Sequence, residues 1–136
     1  MIRVKDWASY YGFRISDPKS SFDIGPFSDL ITLTFSGDLI EPENFKYKKA
    51  ELTLSAHNDL VEGQWTELPT SIGSLSANED TLSAYVFVPT EHMVMLMWLA
   101  NSGKVQTASM VGTRLRYRSG NVQNISLDTS PEDKIE

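Results

Sequence analysis

The sequence predicts a mainly β domain: an antiparallel β-sandwich of about seven to nine strands with one short apolar helix near residues 90–101. Three observations lead to this class. Most segments alternate apolar and polar residues with the period of two that is typical of strands. Turn-forming residues separate these segments at short intervals. One segment, Met93–Ala100, is instead an unbroken apolar run. The alternative is an α+β fold, with a single curved sheet and the helix packed on it.

The alternating segments place the strands in order along the chain. They cover residues 7–16, 30–39, 47–57, 71–75, 81–88 and 104–118, with a last strand after residue 121. The first is rich in aromatic residues, and its Trp7, Tyr11 and Phe13 share one face that we expect to lie in the core. The sixth is unusually long, so we expect a bend or bulge at Gly112. A three-residue loop, 119–121, is predicted to join it to the last strand.

The helix is bounded by residues that favour its start and its end. Pro89 interrupts strand pairing, and Thr90 is the predicted N-cap. Gly103 offers the left-handed conformation that commonly ends a helix. Because the run between them has almost no polar face, something must cover most of it, either the rest of the domain or a partner.

Length and composition limit the architecture and the compartment. The 136 residues suit one domain, which we assign to residues 1–128, followed by a disordered acidic tail at 129–136. The absence of cysteine excludes disulfides and thiolate metal sites. No apolar stretch is long enough to span a membrane, and no leader peptide is recognisable, so we expect no membrane insertion and a cytoplasmic location.

The charge is unevenly distributed. The net charge is −6, which disfavours nucleic acid as a partner. Residues 50–103 hold seven acidic residues and no Lys or Arg, whereas residues 104–127 hold four basic residues and no acid. We expect strands of these two regions to lie side by side and to pair their charges.

Residues suited to catalysis are few, so we predict a protein that is not an enzyme and uses no cofactor. The chain has two histidines and lacks phosphate-binding glycine loops, nucleophile elbows and zinc-binding helices. His57, Asp59 and Glu62 lie close together in sequence, but their spacing matches no defined metal site. Trp65 is the tryptophan best placed to stack on a carbohydrate ligand.

Three arginines form the most distinctive charged group. Arg114, Arg116 and Arg118 are spaced by two, so on one long strand they would project from one face as a row. Such a row can bind a carboxylate or a phosphate through forked hydrogen bonds. It can equally pair with acidic residues or protect an exposed edge. An anion-binding or carbohydrate-binding domain, or an enzyme built on this face, is therefore the alternative function.

The apolar helix gives the leading functional prediction. Methionine adapts to many binding surfaces, and tryptophan is frequent where binding energy concentrates. We therefore expect an interaction module whose partner is another protein or a second copy of the chain. The candidate interface residues are Met93, Met95, Met97 and Trp98. Burial of the whole helix inside the domain is the structural alternative.

Overall fold

The computed structural model describes residues 1–16, 27–57 and 69–130, and within these ranges it contains seven strands and one helix. They follow the order β1 (Ile2–Ile15), β2 (Phe27–Leu39), β3 (Lys49–His57), β4 (Gly73–Asn78), β5 (Thr81–Pro89), α1 (Thr90–Asn101), β6 (Thr107–Gly112) and β7 (Ser119–Asp128). The predicted class, mainly β with one short helix, is confirmed. Residues 131–136 of the predicted tail lie outside the described residues.

The described strands form one continuous hydrogen-bonded sheet that closes on itself. Their order around the sheet is β1-β2-β3-β5-β4-β7-β6, and β6 returns to β1. Neighbouring strands are antiparallel except β3 and β5, which are parallel and contradict the expectation of antiparallel pairing throughout. The two strands run in the same direction because both begin at the same end of the sheet. The backbone N–H groups of Lys48 and Lys49 donate to the Asp80 carbonyl oxygen at 3.0 and 3.1 Å, so β5 starts beside the start of β3.

The core lies inside this closed sheet. Its largest fully buried apolar side chains come from alternate positions of neighbouring strands, as the period of two predicts. They are Ile2, Leu33, Phe35, Leu52, Leu54, Val86 and Val122. The alternation within β2 and β3 predicts that Leu33, Phe35, Leu52 and Leu54 face inward, and all four are buried.

Strand β1 is longer than predicted and leaves the closed part of the sheet. Only Ile2 and Arg3 pair with β6, and the Val4 N–H donates to the Gln106 carbonyl oxygen at 2.9 Å. A bulge at Lys5 follows, after which β1 pairs with β2 as far as Ile15. Strand β2 pairs with β3 only from Thr32 onwards, so residues 11–15 and 27–31 form a two-stranded extension. Residues 6–15 of β1 and their partners, residues 27–36 of β2, are together called the arm below.

Helix α1 follows β5 directly and packs against β3 and β5. Its predicted bounds are correct, but its N-cap is Pro89 rather than Thr90, and no side chain caps it. The Gly103 φ of 69° confirms the predicted left-handed exit. Within the described ranges, no helix combines the length and apolarity needed to cross a membrane.

The β6–β7 connection corrects the predicted long strand. A register shift does occur at Gly112, but β6 ends there, and the chain turns through Tyr117 and Arg118, both at positive φ. Arg116 and Ser119 face each other across this two-residue turn, so the three-residue loop at 119–121 is wrong. Residues 119–122 instead pair with β4, and this tertiary pairing moves the turn towards the N-terminus.

Candidate interaction surface

Helix α1 carries large apolar side chains both on the face that packs on the sheet and on the face that is open to solvent. The inner face is a stripe at positions 93, 96, 97 and 100: Met93 and Ala100 are buried, and Leu96 and Met97 are half-buried. The outer face carries Val94, Met95 and Trp98, whose exposed fractions are 67%, 57% and 77%. A spacing of three and four residues places each set on one side of a helix. The middle of the outer face is therefore apolar and open to solvent, with exposed Glu91 and Asn101 at its two ends.

Among the four predicted interface residues, one differs from the rest. Met93 is 3% exposed and packs in the core, so it belongs to the fold rather than to the outer surface. Met97 is half-buried, and Met95 and Trp98 are exposed. Helix α1 is therefore neither completely buried nor completely exposed.

A groove runs between α1 and strand β1. Its lining residues are Trp7 and Ser9 from β1 and Met97, Trp98 and Asn101 from α1, and its volume is about 380 Å³. The groove exists because β6 pairs with β1 only at residues 2 and 3, so that the strand that would extend the sheet beyond them is missing in the described structure. Two tryptophans thus line one accessible cleft, which we call the helix groove.

The arm carries a second exposed apolar surface. Trp7, Ser9, Tyr11 and Phe13 share a face with Phe35 and Leu33 of β2, because directly paired residues lie on the same side of a sheet. Tyr11 and Phe13 are nevertheless 66% and 63% exposed, since the arm extends past the core. The prediction that Trp7, Tyr11 and Phe13 lie in the core is therefore wrong. The Phe13 and Phe27 rings stack at 5.5 Å on this face.

Strand β1 also has an edge beside which the described part of the chain places no strand. From Asp6 to Ile15 it pairs with β2 on one side, and no described residue pairs with its other side, called the open edge below. Open edges are usually blunted by lysine, proline or a bulge. Residues 6–15 contain neither lysine nor proline, and the bulge at Lys5 precedes them.

The open edge presents the backbone groups of the odd-numbered residues. The Val4 N–H points towards β6 while its side chain faces inward, and the bulge at Lys5 then shifts the alternation by one residue. Inward-facing Trp7, Ser9, Tyr11 and Phe13 therefore direct their N–H and C=O groups to the open edge. Consistent with this, the Trp7 N–H donates to its own neighbour, Asp6 Oδ1, at 2.8 Å rather than to β2.

Lys5, the bulge residue, forms an ion pair with Asp38 of β2. Lys5 Nζ lies 2.7 Å from Asp38 Oδ2. The hydrogen bond from Lys5 is the main reason that the pKa of Asp38 lies below its usual value of 3.8, with the positive charges of Lys5, Arg3 and Lys49 adding to the effect. This pair links β1 to β2 at the base of the arm.

The three arginines do not share one strand. Arg114 follows β6, Arg116 closes the β6–β7 turn and Arg118 lies within it at positive φ, so the predicted row on one face is wrong. All three are exposed, and none forms an ion pair with any described residue. The predicted pairing of these arginines with acidic residues of the region 50–103 is therefore not seen among the described residues. Binding of an anion by these arginines stays a prediction.

Of the residues considered for a metal or a carbohydrate ligand, the structure describes only one. His57 ends β3, whereas Asp59, Glu62 and Trp65 lie outside the described residues. Among the residues that the structure describes, no group of three or more acidic or histidine side chains could hold a metal ion.

Sequence reasoning identified the helix but missed the arm. The signal was present, because Tyr10 and Tyr11 put aromatic rings on both faces of one strand, a pattern that a strand buried on one side does not need. The groove could not be anticipated, since it depends on where β6 leaves β1.

Comparisons with protein-family models, with curated proteins and with solved structures found no match to this chain.

Proposed function

We propose that this chain is a non-enzymatic protein-binding module that acts through the outer face of α1 and the adjoining helix groove. The observation that carries the proposal is the exposure of Trp98, 77% accessible on a helix whose opposite side is anchored in the core. Exposing the apolar surface of an indole ring to water costs free energy. Contiguous exposed apolar surface on a folded domain commonly marks a binding site.

The residues around Trp98 have the character of a binding surface. Met95 and Val94 extend the apolar area on the same helical face, and methionine adapts its shape to a partner. Across the groove, Trp7 offers a second large ring. Tryptophan is among the residues that contribute most to binding when a partner covers them.

The position of the surface supports its use. The inner residues Met93 and Ala100 fix α1 against the core, so the outer residues are presented from a rigid element. A rigid surface loses less conformational entropy on binding than a loop does. The proposal therefore locates partner binding on α1 and β1, away from the β6–β7 turn.

Substitution of Trp98 tests the proposal. We expect Trp98→Ala and Met95→Glu to weaken partner binding by about tenfold or more, since each removes or charges the centre of the apolar surface. The measurements are capture of proteins on the immobilised chain and the solution mass by light scattering, with circular dichroism to check folding. A captured protein counts only when its affinity is then measured with purified components.

The matched control is Tyr117→Ala. Tyr117 is fully exposed in the β6–β7 turn, so this variant also removes a surface aromatic ring but leaves the proposed surface intact. We expect it to bind as the unchanged chain does. Folded Trp98→Ala and Met95→Glu variants that keep both partner capture and assembly would show that the proposed surface is wrong.

A further inference from the structure

We infer that the partner is a second copy of the chain, and that two copies join by antiparallel pairing of their open β1 edges around a two-fold axis at Tyr10. This inference rests on the proposed function, because it names the partner and the mode of binding. It starts from the hydrogen-bonding capacity of the open edge, which a helix or a globular surface cannot satisfy but another extended strand can.

The arm is self-complementary in the register centred on Tyr10. Antiparallel pairing of identical strands requires that edge-facing residues oppose edge-facing residues. With Tyr10 on the axis, Trp7 opposes Phe13 and Ser9 opposes Tyr11, and the backbone groups of all four face the open edge. The Trp7 N–H, which donates to Asp6 Oδ1 in the single chain, exchanges this acceptor for the second copy when the strands pair. Large aromatic rings then lie opposite each other on the inward side, an arrangement that stabilises strand pairs.

Charge selects the same register. Asp6 and Arg14 are the two charged residues of the strand between Asp6 and Ile15, and pairing around Tyr10 places Asp6 of each copy opposite Arg14 of the other. Shifting the register by two residues loses this match at both ends. Arg14 has partners within its own chain, among them the Ile15 carbonyl oxygen at 3.5 Å from Nη1, and a guanidinium group has five N–H donors that can serve several partners.

The same pairing fills the helix groove. Phe13 of the second copy lies opposite Trp7, and its Tyr11 lies opposite Ser9, on the side of the strand that faces α1. Trp7 and Ser9 are the two β1 residues that line the groove beside Trp98. The exposed rings of one arm therefore cover Trp98 of the other copy, so that each copy buries the exposed apolar surface of the other.

A single cysteine placed at the axis tests this register. The chain has no cysteine, so Tyr10→Cys introduces one thiol on the exposed outward side of the arm. On the axis it faces its own copy within the roughly 7 Å between Cα atoms that a disulfide allows. We expect mild oxidation to convert Tyr10→Cys into a covalent dimer, read on a non-reducing gel, and the unchanged chain to approach twice the monomer mass as its concentration rises.

The matched control is Ala8→Cys, exposed on the same side of the same strand. In the proposed register Ala8 opposes Gly12, so two Ala8 positions lie about 14 Å apart, at about 3.4 Å per residue. We expect this variant to stay monomeric under the same oxidation. Cross-linking of Ala8→Cys to the same extent as Tyr10→Cys, or of neither, overturns the register.

Charge reversal gives a second test that does not depend on a disulfide. We expect Asp6→Arg and Arg14→Asp to weaken the dimer singly, since each places like charges opposite each other, and the double variant to restore it. Failure of the double variant to regain the dimer argues against the pairing.

The outcomes separate this inference from the proposed function. A chain that stays monomeric at every concentration but binds a different protein through Trp98 overturns self-pairing and leaves the binding module standing. A monomer in which Trp98→Ala changes nothing overturns both. A dimer that is lost in Trp98→Ala and cross-linked by Tyr10→Cys supports both.

Discussion

Met93 and Met95 lie two positions apart on α1 and have opposite environments. Met93 points into the core, whereas Met95 points into solvent. The sequence predicts an apolar helix but cannot say which of its sides is covered, because apolar residues occur on both. At the residue scale, composition therefore identified the helix as unusual, and only packing separated its structural residues from its surface residues.

Charged residues at this scale act through local geometry. Asp38 is held by Lys5 beside the bulge, and this contact lowers the pKa of its carboxyl group. A carboxyl whose pKa is lower in the folded than in the unfolded state stabilises the fold above its unfolded pKa. That contribution disappears as the pH falls from its usual value of 3.8 through the lowered folded value.

We therefore expect Asp38→Asn to be slightly less stable than the unchanged chain at pH 7 and equally stable at the acid end of the transition. The pair is exposed, so the effect is small. Urea unfolding at a series of pH values measures it, and Lys5→Gln should give the same profile. Equal stability of Asp38→Asn and the unchanged chain at pH 7 would rule out a stabilising pair.

At the element scale, the bulge at Lys5 determines what the arm presents. Before it, inward residues of β1 are even-numbered, and after it they are odd-numbered. Without the bulge, Tyr10 and Gly12 would face inward in place of Tyr11 and Phe13. The bulge therefore decides which aromatic residues lie beside the helix groove.

Gly37 permits this bulge. It lies opposite Val4, and a Cβ atom there would overlap the Arg3 carbonyl oxygen of the neighbouring strand. We expect Gly37→Ala to lower the free energy of unfolding by about 1–3 kcal/mol, because rigid backbone has to move. Denaturant unfolding checks this.

Gly12→Ala is the control for that substitution. Gly12 lies in the same strand pair, but a Cβ atom there would meet the end of the Tyr10 side chain, which can rotate away. We expect a much smaller loss of stability. Similar losses for Gly37→Ala and Gly12→Ala would show that the close approach at the bulge is not what makes glycine necessary.

At the scale of the whole molecule, closure of the sheet creates the exposed surfaces. Because β6 pairs with β1 only near its start, the rest of β1 keeps an open edge among the described residues, and the groove beside α1 follows from that. The pairing inferred above would add the missing strand from a second copy. The open edge and the helix groove thus have one common cause.

Hydrogen exchange can detect the open edge directly. The amides of Ser9, Tyr11 and Phe13 face it, whereas those of Ala8 and Tyr10 face β2. In dilute solution we expect the first set to exchange quickly and the second slowly. Raising the concentration should slow the first set selectively, as pairing covers the edge. An exchange pattern without alternation, or one that does not change with concentration, would contradict the assigned edge or its pairing.

Local sequence patterns predicted much of the fold. Alternation located β2, β3 and β5 and the inner faces of β2 and β3, and proline and glycine marked both ends of α1. The register shift at Gly112 was also predictable, because a glycine inside a strand pattern commonly marks an irregularity. These features depend on residues close together in the chain, where steric and hydrogen-bonding preferences act directly.

Tertiary structure alone decided the rest. The β6–β7 turn moved to Tyr117 and Arg118 because β7 must also pair with β4, which dispersed the predicted arginine row. Trp7, Tyr11 and Phe13 became surface residues because β1 extends past the core. Alternation reports which side chains share a face, but what covers that face depends on strands distant in sequence. The candidate binding surface is therefore a property of the assembled sheet, made from residues whose apolar character the sequence already displayed.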